Sequence, residues 1–434
     1  MYEQIPKLIE NAETICHIGK IEHIVGMSME ASGGKCAVGD IAMIYSNEQN
    51  RQVPAEVVGF KDGRVQLMAY ESTGGIESGS FVRNTRRKLQ IPVGNFLKGR
   101  IINALGEPID GQGSFGEIQD YYTVDSHYTN PLERPPIRER LDFGIKAIDG
   151  LNTVGKGQRI GIFAGSGVGK STLMGMIAKN VKTDINVIAL VGERGREVLE
   201  FVQKDLGPEG MARSVLVVAT SDQPAMLRMK CPLVATTIAE YFKDQGMDVL
   251  LMMDSLTRYA MAQREIGLAV GEPPIARGYT PSIYAEFPRL LERSGNFGKG
   301  SITGVYTVLV EGDDTNEPIS DTVRGILDGH IVLSRQLANE NHFPAIDIGA
   351  SISRLMTELV DGVHLQMASR FRSLLGIYQK NADLISIGAY KKGANPALDE
   401  AVGKIGRING FLEQGVNESF SYEETLSLMK KITG

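Results

Sequence analysis

The sequence predicts a multidomain chain: an N-terminal all-β barrel-like domain, a central α/β domain with a mostly parallel sheet around a phosphate-type glycine loop, and a C-terminal α-helical domain. Three observations carry this. Early runs such as "GKIEHIVGMSME", "DIAMIYS", "QVPAEVVGF" and "GRVQLMAY" are β-rich and broken by glycine turns about every ten residues, a spacing that suits a small closed or sandwiched β domain. After the connector "NPLERPPIRERLDFG", nearly continuous apolar runs alternate with helical patterns, as in parallel strands covered on both faces. From about Leu355 onwards, apolar residues recur at helical intervals through "RLMTELVDGVHLQMASRFRSLL", "ANPALDEAVGKIGRINGFL" and "SYEETLSLMKKITG".

The expected divisions are a short amphipathic helix over 1–14, the β domain over 15–92, the α/β domain over 93–354 and the helical domain over 355–434. A length of 434 residues is consistent with roughly three domains. In the first helix Tyr2, Ile5, Leu8 and Ile9 share helical spacing, with Glu3, Gln4, Lys7 and Glu10 between them. That face either packs on the next domain or docks a partner. A net charge of −6 disfavours a chain whose main task is gripping nucleic acid. Cys16, Cys36 and Cys231 are widely spaced and lack CxxC, and the six histidines (His17, His23, His127, His330, His342 and His364) show no metal-ligand spacing. The start lacks a signal-peptide pattern and no apolar run is long enough to span a bilayer, so the expectation is a soluble protein that borrows any membrane role from partners.

Strands of the α/β domain are expected near Arg159–Ala164, Asn186–Gly192, Ser214–Thr220, Asp248–Asp254, Ile302–Val310 and His330–Ser334. The first runs into "AGSGVGKS", which departs from the G-x-x-x-x-G-K-[ST] pattern only by Ala164 in the first glycine position. Gly165, Ser166, Gly167, Val168 and Gly169 can curl backbone N–H groups around phosphate oxygens, helped by the dipole of a helix starting near Lys170. Lys170 is placed to reach the β- and γ-phosphates, Ser171 to ligate Mg²⁺ and Thr172 to lie near the α-phosphate. Asp254, at the C-terminal end of the apolar run "MDVLLMMD", supplies a second oxygen ligand for the metal. Hydrolysis needs a group that orients or deprotonates water. "VGERGREV" offers Glu193 for this, on a strand expected beside the loop, with Arg194 as a γ-phosphate contact and Glu197 completing an acidic cluster.

The segments "GRIINALGEPIDG", "GSGVGKST", "GERGREV", "DSLTRYAMAQREI", "PRLLERSG" and "PAIDIGASISR" together resemble the catalytic subunits of rotary ATPases and, more closely, the type III secretion ATPases, the flagellar protein-export ATPases above all. The likeness runs from about Ile18 to the C-terminus, is most specific in the middle domain, and is looser before Pro92 and beyond Gln379. It implies a RecA-like nucleotide domain, ATP and Mg²⁺ as cofactors, and a homohexameric ring in which Arg354 is an arginine finger for the neighbouring site. Phe343 is the implied aromatic platform for adenine, with Tyr390 of the helical domain as a second candidate. The segment "GLAVGEPPIARGYTPS", read as too irregular for a helix, would line the ring's opening. The implied activity is a protein-secreting ATPase in the cytoplasm, peripherally associated with the membrane export apparatus. Its implied partners are a dimeric stator-like regulator at the N-terminal helix, a coiled-coil stalk-like protein in the ring centre, export chaperone–substrate complexes and the membrane export gate, with no nucleic acid. An injectisome ATPase shares every motif above. An RNA-translocating ring helicase would need an aromatic and basic platform near the start, where Tyr2, Tyr45, Phe60, Tyr70 and Phe81 form no such cluster. Glu193 argues against a non-hydrolysing regulatory subunit.

Overall fold

The computed structural model describes residues 18–46, 51–125, 130–310 and 317–434. The expected N-terminal helix, Cys16, His17 and His127 lie outside the described residues. Strands β1 (Ile18–Val25), β2 (Ser28–Ser32), β3 (Asp40–Ser46), β4 (Arg51–Lys61), β5 (Arg64–Ala69) and β6 (Phe81–Lys88) close into a barrel in the order β1-β2-β5-β4-β3-β6. Closure settles the choice between barrel and sandwich, and it leaves no edge strand to pair with another chain. Alternation in β3 shows why these residues suit a barrel: Ala42 and Ile44 turn into an interior shared with Ile21, Met29, Val53, Val57 and Leu67, while Ile41, Met43 and Tyr45 are half-buried.

The central sheet runs in the order Ile346–Ser353, Gly329–Leu333, Arg159–Ala164, Ser301–Leu309, Asp248–Asp254, Ile185–Glu193, Ser214–Thr220 and Ile101–Asn103. Pairings along this path are parallel except at Ile346–Ser353, which is antiparallel to its neighbour. The six expected strands are all present, and the two outermost were not among them. One expectation needs correction. The strand ending in Glu193 does not lie beside the strand that feeds the glycine loop, because Ser301–Leu309 and Asp248–Asp254 come between them. The chain leaves the loop strand, crosses to Ile185–Glu193 and later fills the gap, which creates the crevice at strand ends where α/β sheets bind ligands.

Two contacts tie the outer domains to this sheet. Glu56 of the barrel accepts from Lys230 Nζ at 2.7 Å and from the Tyr70 hydroxyl, and both ion-pair side chains are 9% exposed. In the helical domain Gly362–Lys380, Pro396–Leu412 and Tyr422–Thr433 pack on the short helix Lys146–Leu151, with Phe371 and Phe411 rings 5.2 Å apart. Fully buried His364 fixes this junction through the Tyr422 hydroxyl at 2.9 Å and the Gly150 carbonyl at 2.7 Å, a structural role. Asp361, Asn395 and Ser421 cap the three helices, Ser421 through a capping box with Glu424. The glycine- and proline-rich segment is partly helical: Leu256–Val270 includes its first four residues, and Pro281–Leu291 begins at its last two. No helix among the described residues is long and apolar enough to cross a membrane.

Candidate nucleotide site

Strand Arg159–Ala164 delivers the glycine loop into the crevice, and helix Lys170–Asn180 leaves it. Gly167 and Gly169 have φ of 77° and 89°, the left-handed region that only glycine adopts without strain, so both positions are dictated by the turn. Val168 is buried and anchors the loop, whereas Ser171 is exposed and Thr172 half-buried at the first helical turn. The loop has a further support that no local pattern announced. Arg335, from beyond the adjoining strand, donates from Nη1 to the Ser166 carbonyl at 3.1 Å.

Lys170 turns back across the strand ends to the two acids. Its Nζ bonds Asp254 Oδ1 and lies 3.5 Å from Glu193 Oε1. A long side chain thus reaches past the two intervening strands, which is how Glu193 joins the site without an adjacent strand. Asp254 also accepts from the Thr307 hydroxyl at 2.7 Å and is 4% exposed. It does not cap the following helix; Ser255 does, accepting from the Arg258 N–H. Burial works against the Lys170 ammonium, but Asp254 and Glu193 outweigh it and hold its pKa above the ordinary value. Glu193 goes the other way for a carboxyl. Burial first, then the Asp254 charge, push it up to about 7, against the pull of Lys170 and with a further push from its hydrogen bond to Glu197. Two acids share one ammonium, and the acid farther from it takes the burden.

The other expected residues are more dispersed. Arg194 is 71% exposed along its side chain and pairs with Glu197 at 3.2 Å rather than turning toward Lys170. A second cation, Arg258, packs beside the strand end that carries Glu193: a Cβ at Gly192 would come within 3.1 Å of its side chain, and its buried Nε has no hydrogen-bond partner among the described residues. Phe343 is 41% exposed and lies 3.5 Å from where a Cβ on Gly169 would sit, so an aromatic face borders the loop. Its carbonyl accepts from the Gln414 N–H at 3.0 Å, a tie from the helical domain. Tyr390 instead donates to Asp399 at 2.6 Å within its own domain. Arg354 follows the antiparallel edge strand, is exposed, and donates to the Arg324 carbonyl at 3.2 Å. It is not brought to this chain's own Lys170. Among the described residues no three histidine, cysteine or acidic side chains cluster as a metal site. Ser171 and Asp254 remain, hard oxygen donors that suit a magnesium ion keeping most of its waters.

Comparison with known proteins completes the picture. Residues 144–353 match the nucleotide-binding domain of the ATP synthase alpha/beta family, 21–86 match that family's beta-barrel domain, and 360–431 match the C-terminal domain of the T3SS EscN ATPase. The flagellum-specific ATP synthase of Bacillus subtilis (strain 168) is 53% identical over 98% of this chain and 97% of its own length. The chain belongs to the ATP synthase alpha/beta family. Within it, the chain is an ATPase of the flagellar and type III secretion branch. The assembled ATPase EscN of the enteropathogenic E. coli type III secretion system superposes with a TM-score of 0.91 at 46% identity, covering 96% of this chain and all of that one. EscN in complex with its central stalk EscO gives 0.89 at 45% identity over the same share of each chain. The three-part architecture expected from the sequence is therefore that of the family.

Proposed function

We propose that the chain is the cytoplasmic Mg-ATP-hydrolysing subunit of a homohexameric ring that energises flagellar type III protein export. The observation that carries this is the division of the catalytic set: Lys170, Glu193 and Asp254 converge in one crevice, while Arg354 stands exposed at the sheet's far edge. A cation there is useless to its own site and available to a neighbour's. The loop N–H groups and Lys170 bind the phosphates, and Ser171 and Asp254 hold the metal, which when bound neutralises charge on the phosphate oxygens. Glu193 takes a proton from water aligned with the γ-phosphate, Arg258 is placed to steady that phosphate, and Phe343 stacks on the base. Arg354 of the next subunit completes the charge balance.

The 53% identity to the B. subtilis flagellar relative over nearly the whole of both chains is the support for flagellar export. A stalk-like partner in the ring centre fits the loop around 271–280, by analogy with the EscN–EscO complex. A stator-like regulator at the N-terminal segment, chaperone–substrate complexes and the membrane export gate complete the partners of this reading. The test is subunit complementation. Arg354→Ala and Lys170→Ala proteins should each lose most turnover, Arg354→Ala by about 10³–10⁵ while still binding nucleotide, and mixing them should restore activity because some interfaces regain both groups. A mixture as inactive as its components, or full activity of dilute monomeric protein, overturns the ring assignment.

A further inference from the structure

A buried ammonium without a carboxylate partner lies at the junction of the nucleotide and helical domains. Lys146 is 5% exposed, yet among the described residues its Nζ donates only to the Gly410 carbonyl at 3.3 Å and sits 4.5 Å from the Phe420 ring centroid. Burial pulls its pKa below the ordinary lysine value. Glu418 and Glu413 oppose that from a distance, neither in salt-bridge contact. One carbonyl and an aromatic face offset only part of the cost of desolvating an ammonium. Lys146 forms part of a cleft of about 720 Å³, where Phe411, Phe420 and Leu428 supply apolar lining and the exposed Arg407 and Lys431 supply two more cations. No carboxylate lines this cleft, and neither Arg407 nor Lys431 forms an ion pair among the described residues. Three cations with no carboxylate in salt-bridge contact among the described residues stand out in a chain whose net charge is −6.

We propose that this cleft docks an acidic–apolar peptide segment of a partner protein, with a carboxylate meeting Lys146 and leucine or phenylalanine side chains lying on Phe411 and Phe420. Its volume matches a few side chains rather than a folded surface. The nearly buried position of Lys146, which a side-chain carboxylate can reach more readily than a bilayer surface can, favours a peptide over a flat anionic membrane. The cleft also has a short path to the nucleotide site. The Lys146 N–H donates to Gln414 Oε1 at 3.0 Å, and the Gln414 N–H donates to the Phe343 carbonyl at 3.0 Å. An occupant that shifts Lys146 is therefore felt at Phe343, a consequence that rests on the base-stacking role proposed above; docking itself does not.

The experiment uses full-length protein and a fluorescent synthetic peptide alternating glutamate with leucine and phenylalanine, beside a twin carrying glutamine for glutamate. Fluorescence anisotropy should show saturable binding of the acidic peptide that weakens with added salt. Binding should be at least about tenfold weaker for the glutamine twin and for Arg407→Glu/Lys431→Glu, an exposed double change that leaves basal ATPase activity intact. Lys146→Met should weaken it as well. Equal binding of the two peptides, undiminished binding to the double variant, or affinity for phosphatidylglycerol vesicles alone overturns the proposal. Saturating peptide should also shift KM for ATP; intact binding with an unmoved KM overturns the Phe343 link and leaves the docking cleft standing.

Discussion

Replacing Glu193 by glutamine tests the electrostatics of the site and its chemistry together. Glu193 is 15% and Asp254 5% exposed along the side chain, and Asp254 holds the shared Lys170 more tightly. With its pKa raised from 4.5 to about 7, the folded protein keeps a proton on Glu193 that the unfolded chain has already lost. The shift corresponds to about 3 kcal/mol. Its sign follows from proton linkage: between the two pKa values the folded state binds more protons, so stability declines as pH rises through about 4.5 to 7 and the full penalty is present above. Glutamine cannot ionise and has no such slope. Thermal unfolding of nucleotide-free protein at a series of pH values should show Glu193→Gln gaining on the wild type as pH rises from about 5 to 8. In steady-state assays the wild-type kcat/KM should rise with pH through an apparent pKa near 7, and the variant should lose about 10²–10⁴ in turnover while binding nucleotide. A wild-type profile flat between pH 6 and 8, together with unfolding curves for the two proteins that stay parallel across the range, would refute the coupled two-acid site.

Other changes separate neighbouring roles. Phe343→Ala should raise KM for ATP by the loss of a stacking contact of about 1–3 kcal/mol with kcat largely kept, whereas Tyr390→Phe, which breaks only the bond to Asp399, should leave that KM unchanged in the same assay. Lys230→Met strands a buried Glu56 carboxylate between the barrel and the nucleotide domain and should cost about 3–5 kcal/mol, read as a lower unfolding temperature, with Lys230→Met/Glu56→Leu recovering part of it. Burial pushes the Cys231 thiol well above its ordinary value, so alkylation of folded protein by iodoacetamide should spare Cys231 and mark it only on unfolding.

Much of this arrangement was written locally in the chain. Strand limits such as Arg159–Ala164, Ser214–Thr220 and Asp248–Asp254 follow from continuous apolar runs bounded by turns, and the loop from its glycines. What escaped is non-local or locally weak. Ile101–Asn103 is three residues long, and Ile346–Ser353 alternates buried with exposed positions as an edge strand does, so neither presents a continuous apolar run. Sheet order is a property of packing, and this is why chain succession placed Glu193 beside the loop strand when two strands intervene. Arg335 on Ser166, Arg258 over Gly192 and Gln414 on Phe343 join positions far apart in the chain. No periodicity or spacing encodes them. For Arg194 the sequence supplies the charge but not its direction, which a salt bridge with Glu197 decides.

The ion pair between Lys170 and Asp254 bears on why metal and nucleotide should arrive together. On the proposed roles, both partners are needed elsewhere, Lys170 by the phosphates and Asp254 by the metal. Nucleotide alone would draw Lys170 away and leave a carboxylate that is 4% exposed with, among the described residues, only the Thr307 hydroxyl bonded to it. Removing one member of a buried pair typically costs about 3–5 kcal/mol, enough to cancel much of what the phosphate contacts contribute. A nucleotide carrying magnesium would bring a cation to Asp254 as Lys170 leaves, so the buried carboxylate would not be left unpaired. Glu193 shares in the same rearrangement: losing Lys170 raises its proton affinity and gaining a nearby divalent cation lowers it. Its proposed readiness to act as a base would therefore depend on the metal being in place. On these roles the resting ion pair would discriminate against metal-free nucleotide, and ATP affinity should fall more steeply on chelating magnesium in the wild type than in Asp254→Asn, where no charge is left stranded.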